Sequence, residues 1–85
     1  MKEFKYVITD AQGIHARPAG LLVKLAAEYK SDIKIAKDGK AVDAKRIFGI
    51  MGLGAKCGQT IILRTNGEDE EKAIEELSEF LEDNL

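Results

Sequence analysis

The chain of 85 residues has little of several residue types that supply covalent stability or metal chemistry. It contains one cysteine, one proline, one histidine and no tryptophan. Cys57 cannot form an internal disulfide bond, and nothing around it marks an activated thiol, so we interpret it as structural. Because no second histidine is present and Cys57 lies far from the only one, a metal site is disfavoured.

Long apolar runs are also missing. None approaches the roughly 18 residues that a membrane-spanning helix needs, and the alternating charges of residues 1–6 are unlike a signal peptide. We therefore expect a cytoplasmic protein with no cofactor, no metal ion and no direct insertion into a membrane.

Length and charge limit where the chemistry can lie. With 45% hydrophobic residues the chain fills one modest core, so we expect a single domain over residues 1–85 with its chemistry at the surface. The net charge is −2, but residues 68–83 carry −8 and the remainder +6. The excess positive charge on the residues outside 68–83 favours an acidic protein surface or a phosphate as the partner.

Hydrophobic periodicity predicts four strands. The alternation over residues 4–9 predicts the first strand, and residues 33–36 predict the second. Asp38-Gly39 then predicts a type I′ turn into a third strand over residues 40–43. The β-rich residues 59–65 predict the fourth strand.

Three helices complete the predicted order. An amphipathic helix begins at Ala16, and the glycines of residues 45–54 permit only a short helix. Asp69 is predicted to cap a final helix with an acidic first turn. The order βαββαβα predicts an α+β open-faced β-sandwich, in which a four-stranded antiparallel sheet has helices packed on one face.

The only histidine, His15, lies between a glycine-bearing loop and the start of the first helix. The first N–H groups of a helix lack internal partners and, with the helix dipole, favour an anion. The same positive end disfavours imidazolium, so the neutral ring can act as a nucleophile. Arg17 can place its guanidinium near a phosphate on His15, and Pro18 costs the first turn no hydrogen bond. These neighbours favour a phosphate-carrying histidine over the simple cap or surface residue that position alone suggests.

The segment Gly13-Ile14-His15-Ala16-Arg17-Pro18 resembles the phosphohistidine site of the bacterial HPr family. A second segment resembles the other diagnostic region of that family through Lys45, Ile47, Phe48, Gly49, Met51, Leu53 and Gly54. The resemblance covers essentially the whole chain and needs no gap.

This resemblance implies a phosphocarrier of the phosphoenolpyruvate-dependent sugar phosphotransferase system, and not an enzyme. Such a carrier accepts a phosphoryl group from enzyme I and passes it to the A domain of a sugar-specific enzyme II. Carried onto this chain, His15 is phosphorylated, at Nδ1 in the family, while Arg17 and the backbone N–H groups of Ala16 and Arg17 hold the phosphate. The sequence by itself does not distinguish Nδ1 from Nε2.

The resemblance also implies a docking surface that both partners use. This docking surface consists of Gly20, Lys24, Lys45, Arg46, Ile47, Phe48 and Met51. An apolar patch with a basic rim suits brief, electrostatically steered encounters by a monomer. The alternative is that its apolar residues fill the core, which we expect for Ile50 and Leu53 rather than for Phe48 and Met51.

Three positions depart from the family pattern. Arg46 stands where many members have a regulatory serine, and Gly52 replaces a second serine. Because a guanidinium cannot accept a phosphate, regulation through serine is not expected here. Gly20 lies inside the first helix, where glycine costs roughly 0.5–1 kcal/mol relative to alanine, and the sequence offers no reason for it.

The sequence is also compatible with two other functions. A regulatory module on the same fold would bind partners without phosphotransfer, but it would not need His15. An RNA-binding α+β domain would expose aromatic residues on its central strands beside a basic face. We expect most of the five aromatic residues to be buried and therefore predict no nucleic-acid partner.

Overall fold

The computed structural model describes all 85 residues and has the seven elements in the predicted order. These are β1 (Lys2–Val7), α1 (Ala16–Ala26), β2 (Asp32–Lys37), β3 (Lys40–Asp43), α2 (Ile47–Gly52), β4 (Thr60–Asn66) and α3 (Glu70–Asn84). No helix is both long enough and apolar enough to cross a bilayer.

The four strands form one antiparallel sheet in the order β1-β4-β2-β3. Along the central strand β4, the buried Ile61, Leu63 and Thr65 alternate with residues that are more exposed. Successive side chains of a strand point to opposite faces, so one face of the sheet is covered and the other is open. The predicted open-faced sandwich is confirmed.

A single hydrophobic core joins all three helices to the covered face of the sheet. Leu22 of α1, Ile50 of α2 and Leu77 of α3 are completely buried. They belong to the same core cluster as Ile35 and Leu63 of the sheet. Each such side chain contributes about 1.5–3 kcal/mol when it is removed from water, so this packing fixes the position of the helix ends.

The β2–β3 hairpin has the predicted type I′ turn. Asp38 and Gly39 have φ values of 52° and 82°, and this turn type requires a positive φ at both central residues. Lys37 pairs directly with Lys40 across the turn.

The start of α3 differs from the prediction in one respect. Asp69 is the N-cap residue, but its side chain makes no capping hydrogen bond. Its carboxylate instead accepts hydrogen bonds from the N–H groups of Lys30 and Ser31, at 2.8 and 2.9 Å, and from the hydroxyl of Ser31. Glu70 accepts the local hydrogen bond from Gly67 N–H at 3.1 Å. Asp69 therefore joins the start of α3 to the segment between α1 and β2.

These hydrogen bonds predict an acid-sensitive contact. The bond from the Ser31 hydroxyl, followed by that from Lys30 N–H, lowers the pKa of Asp69 from its ordinary 3.8 to about 2. Because the folded-state pKa is the lower one, Asp69 stabilises the fold above pH 3.8 and loses this contribution as the pH falls through 2. Urea titrations should show that the free energy of unfolding declines over this interval, and that Asp69→Asn reduces the decline.

The matched control is Glu82→Gln, which removes an exposed carboxylate from the same helix. We expect this variant to keep the decline of the wild type. If Glu82→Gln and Asp69→Asn reduced the decline equally, the general loss of negative charge would explain it and the assignment to Asp69 would be wrong.

Candidate functional site

His15 is the N-cap residue of α1, at the position that the sequence predicts. Its backbone is extended, with φ −117° and ψ −177°, and its side chain makes no capping hydrogen bond. Its carbonyl oxygen accepts a hydrogen bond from Ala19 N–H at 3.0 Å, so the helix begins directly after it. With 36% of the side chain exposed, the imidazole is accessible to a partner.

The start of α1 is open to an anion. The N–H groups of Ala16 and Arg17 have no acceptor in the structure, and the first turn contains no acidic residue. Arg17 is exposed and forms no ion pair. The structure thus brings the predicted phosphate ligands, Ala16 and Arg17, next to His15 at a helix end that carries a partial positive charge. That they bind phosphate stays a prediction.

A close backbone contact holds the loop before His15. Gly13 has φ 66°, and a Cβ atom there would lie 2.4 Å from the carbonyl oxygen of Ala55. The same oxygen accepts a hydrogen bond from Ile14 N–H at 3.0 Å. Asp10 shapes the other end of the loop, because its carboxylate accepts from Gln12 N–H at 2.8 Å. Glycine is needed at position 13 both for its backbone conformation and for this close approach.

A cavity of about 280 Å³ opens beside the imidazole. It is lined by His15 together with Asp10, Arg17, Pro18, Leu21, Asp83 and Asn84. The carbonyl oxygen of Leu85 accepts hydrogen bonds from the N–H groups of Thr9 and Asp10, at 2.5 and 2.7 Å. These bonds tie the C-terminal end of α3 to the loop that carries His15.

Asp10 and Asp83 add negative charge to the cavity that Arg17 and Pro18 of α1 also line. One carboxylate oxygen of Asp10 lies 4.0 Å from Nε2 of His15. Neither aspartate is predicted as a site residue from the sequence. The signal for Asp10 was its place in the same loop, five residues before His15. No local signal marks Asp83, because only the tertiary fold brings the end of α3 to this site.

The apolar part of the docking surface is exposed where the sequence predicts. Phe48 is 87% exposed and Met51 is 40% exposed, whereas Ile50 and Leu53 are buried in the core. Ile47 differs from the other two apolar members, since it is only partly exposed and packs against the core. Ile47 therefore has less exposed area than Phe48 to offer a partner.

Among the basic residues of the docking surface, two have exposed side chains and one makes a hydrogen bond within the protein. Arg46 is the exposed N-cap residue of α2, and its side chain makes no capping bond. Lys24 is exposed in the last turn of α1. The Nζ of Lys45, by contrast, donates a hydrogen bond to the carbonyl oxygen of Tyr29 at 2.7 Å, just beyond α1. Lys45 therefore has a structural contact that the sequence analysis did not predict.

Gly20 lies in α1 opposite α2. A Cβ atom there would lie 3.8 Å from Cδ1 of Ile47, which is an ordinary van der Waals contact. Packing therefore does not require glycine at this position, and nothing in the structure explains it.

The aromatic residues are not arranged for stacking on bases. Tyr29 is buried, and Phe4, Tyr6 and Phe80 are partly buried against the core. Phe48 alone is exposed, on α2 rather than on a central strand. The prediction that most aromatic residues are buried is thus met only in part, since one of the five is buried and three are partly buried.

Comparisons with known proteins agree on one family. Residues 2–83 match the family model of the PTS HPr component phosphorylation site. The chain is 50% identical over 70 residues to the HPr-like protein Crh of Halalkalibacterium halodurans, covering 82% of this chain and 83% of that one.

Two solved structures show the same fold. HPr of Thermoanaerobacter tengcongensis superposes with a TM-score of 0.91 at 45% identity, covering 96% of this chain and 92% of that one. The catabolite repression protein Crh of Bacillus subtilis, solved as an intertwined dimer with a swapped domain, gives a TM-score of 0.79 at 38% identity. That match covers 100% of this chain and 98% of the other.

Because Gly13 lies so close to Ala55, we expect a methyl group added at position 13 to lower the free energy of unfolding substantially. Gly13→Ala should lower the free energy of unfolding by about 2–4 kcal/mol, because it adds a clash with the backbone to the cost of a left-handed conformation. The control is Gly54→Ala, since Gly54 has a similar φ of 62° but no atom within 4 Å of its Cβ position.

Urea denaturation of both variants measures the difference. We expect Gly54→Ala to cost about 1–2 kcal/mol, the conformational strain alone. The amide NMR signal of Ile14 should shift in Gly13→Ala, because its hydrogen bond to Ala55 is displaced. Equal losses in the two variants would show that the close approach at Gly13 contributes nothing.

Proposed function

The chain belongs to the HPr family of phosphocarriers, and we propose that it accepts a phosphoryl group on His15 from phosphorylated enzyme I and passes it to the A domain of a sugar-specific enzyme II. The observation that carries this proposal is the uncapped start of α1, where an accessible imidazole adjoins two N–H groups without acceptors and a free guanidinium.

The site residues would act by positioning and by electrostatic stabilisation. A neutral imidazole attacks the phosphorus with a ring lone pair while the bond from phosphorus to the donor breaks. The phosphoryl oxygens then accept hydrogen bonds from the N–H groups of Ala16 and Arg17 and from the Arg17 side chain. Little more is required of the carrier, since phosphoryl transfer depends mainly on alignment and on stabilisation of the transferred charge.

Both partners would use the docking surface in turn. Phe48 and Met51 offer apolar area, while Arg46 at the start of α2 and Lys24 in the last turn of α1 offer positive charge. A small interface of this kind favours rapid association and rapid release over tight binding. Rapid release is what a carrier needs, because it must leave the donor before it can reach the acceptor.

A regulatory function without phosphotransfer is the second candidate. It is favoured by the similarity to Crh proteins, one of which is named for catabolite repression. His15 argues against it, because a module that only binds partners has no use for a nucleophile at an uncapped helix start. Arg46 also leaves no hydroxyl at the position of the regulatory serine.

We also propose an oligomeric state and a cellular location for the protein. We propose a monomer, since β1 pairs with β4 of its own chain over six residue pairs, although Crh of Bacillus subtilis was solved as a swapped dimer. Because the proposed relay starts from phosphoenolpyruvate, we also propose a cytoplasmic location and a role in sugar uptake.

Phosphorylation by enzyme I tests the carrier function directly. After incubation with phosphoenolpyruvate and enzyme I, intact mass spectrometry should show one added phosphoryl group that acid removes, as expected for phosphohistidine. His15→Ala should remain unmodified while it keeps the far-UV circular dichroism of the wild type. A wild-type protein that stays unmodified would exclude the carrier function and favour the regulatory one.

The basic rim predicts a salt-dependent rate. Arg46→Glu should slow phosphoryl transfer from enzyme I by about tenfold at low salt, because it reverses a charge beside Phe48 that steers an acidic partner. The difference should shrink at high salt, where screening weakens steering. The control is Lys40→Glu, which makes the same change in net charge at the exposed β2–β3 turn. Equal slowing in both variants would contradict a local role for Arg46.

A further inference from the structure

We propose that Asp10 is a positioning residue, which holds the ring proton of His15 on Nε2 and so leaves a lone pair on Nδ1, the nitrogen that the resemblance to the HPr family implies as the phosphoryl acceptor. The inference rests on the proposed function, because it specifies how His15 receives the phosphate. It assigns a role to a residue outside the segment from Gly13 to Pro18.

The first support is that Asp10 is held in place. Its N–H donates to the carbonyl oxygen of Leu85 at 2.7 Å, and its own carbonyl oxygen accepts from Gly13 N–H at 2.9 Å. Its carboxylate oxygen Oδ1 accepts from Gln12 N–H at 2.8 Å. The same oxygen faces Nε2 of His15 at 4.0 Å. The carboxylate is thus fixed by the loop and does not depend on the histidine for its position.

The second support is the hydrogen-bonding character of the two groups. A neutral imidazole carries one N–H and one lone pair, while an ionised carboxylate can only accept. The carboxylate therefore favours the tautomer with its N–H on Nε2, as carboxylate partners of histidine do in metal and protease sites. The nitrogen left with the lone pair is Nδ1.

A separation of 4.0 Å is longer than a hydrogen bond, but both side chains have room to move. They are 36% and 32% exposed, and a small rotation of the ring would bring Nε2 into contact. Hydrogen bonds of catalytic groups are often long before the reacting partner arrives and then shorten. The approach of a phosphoryl donor to the opposite side of the ring would favour this shortening.

Phosphoryl transfer to His15 conserves atoms and charge when the ring proton stays on Nε2. The Nδ1 lone pair forms the bond to phosphorus, and the electrons of the breaking bond stay with the donor. The ring then carries a positive charge, which the Asp10 carboxylate stabilises while Arg17 and the helix N–H groups hold the phosphate. When the phosphoryl group moves on, the bonding electrons return to Nδ1 and the neutral ring is restored. No proton has to be exchanged with water in either direction.

The other charged groups at the cavity supply a control. Arg17 extends from α1 and Asp83 from the end of α3, and both line the cavity with His15. The carboxylate of Asp83, unlike that of Asp10, does not come within 4.0 Å of the imidazole nitrogens. Asp83→Asn therefore removes the same charge from the same cavity without removing the facing partner of Nε2.

The test compares Asp10→Asn with Asp83→Asn and the wild type. Asparagine keeps a side-chain oxygen for Gln12 N–H, so the loop is preserved. Imidazole ¹⁵N NMR of the unphosphorylated proteins, under alkaline conditions in which the ring is neutral, reports the ratio of the two tautomers. In Asp10→Asn we expect the ratio of the Nε2–H form to the Nδ1–H form to fall about threefold, the size typical of a partly exposed pair. Asp83→Asn should match the wild type.

Two functional measurements complete the test. The initial rate of phosphoryl transfer from enzyme I should fall in Asp10→Asn but not in Asp83→Asn, and NMR of the phosphorylated wild type should place the phosphorus on Nδ1. An unchanged tautomer ratio in Asp10→Asn, an equal change in Asp83→Asn, or phosphorus on Nε2 would each overturn the inference. If enzyme I fails to phosphorylate the wild type, the proposed function is wrong, whereas the tautomer ratio still decides whether Asp10 orients the ring.

Discussion

The uncapped start of α1 is the constraint on which the rest of this structure depends. Most helices begin with a side chain that satisfies an N–H group of the first turn, and losing such a cap costs about 1 kcal/mol. His15 occupies that position without making the bond. A serine or aspartate there would stabilise the helix, but its oxygen would occupy the N–H donors that we propose for a phosphate. The fold therefore keeps a weak helix end and stabilises it by other contacts.

Those contacts lie at both ends of α1 and involve distant parts of the chain. At the start, the Ala55 carbonyl and the Leu85 carbonyl hold the backbone of the loop that carries His15. Beyond the other end, Lys45 donates to the Tyr29 carbonyl, and Asp69 accepts from the next two backbone N–H groups. With Leu22 completely buried between them, α1 is fixed along its length. A rigid helix start is what allows two N–H groups and a histidine to act as one site.

Local patterns predicted much of this structure, and long-range contacts account for what they missed. The N-cap position of His15 and the turn at Asp38-Gly39 follow from sequence neighbours alone, because helix starts and hairpin turns are encoded locally. The exposure of Phe48, by contrast, is expected from the resemblance to the HPr family. Ser31, which donates to the Asp69 carboxylate, lies 38 residues away in the sequence. No hydrophobic periodicity predicts such a contact. Likewise, the end of α3 reaches the His15 cavity only through the packing of the core.

The balance of charge around His15 follows from the same geometry. A phosphate carrier must bind its cargo strongly enough to accept it and weakly enough to give it up. In the proposed function Arg17 and the start of α1 would attract the phosphate, while Asp10 adds negative charge to the same cavity. A site lined by positive groups alone would hold a dianion more tightly and release it more slowly.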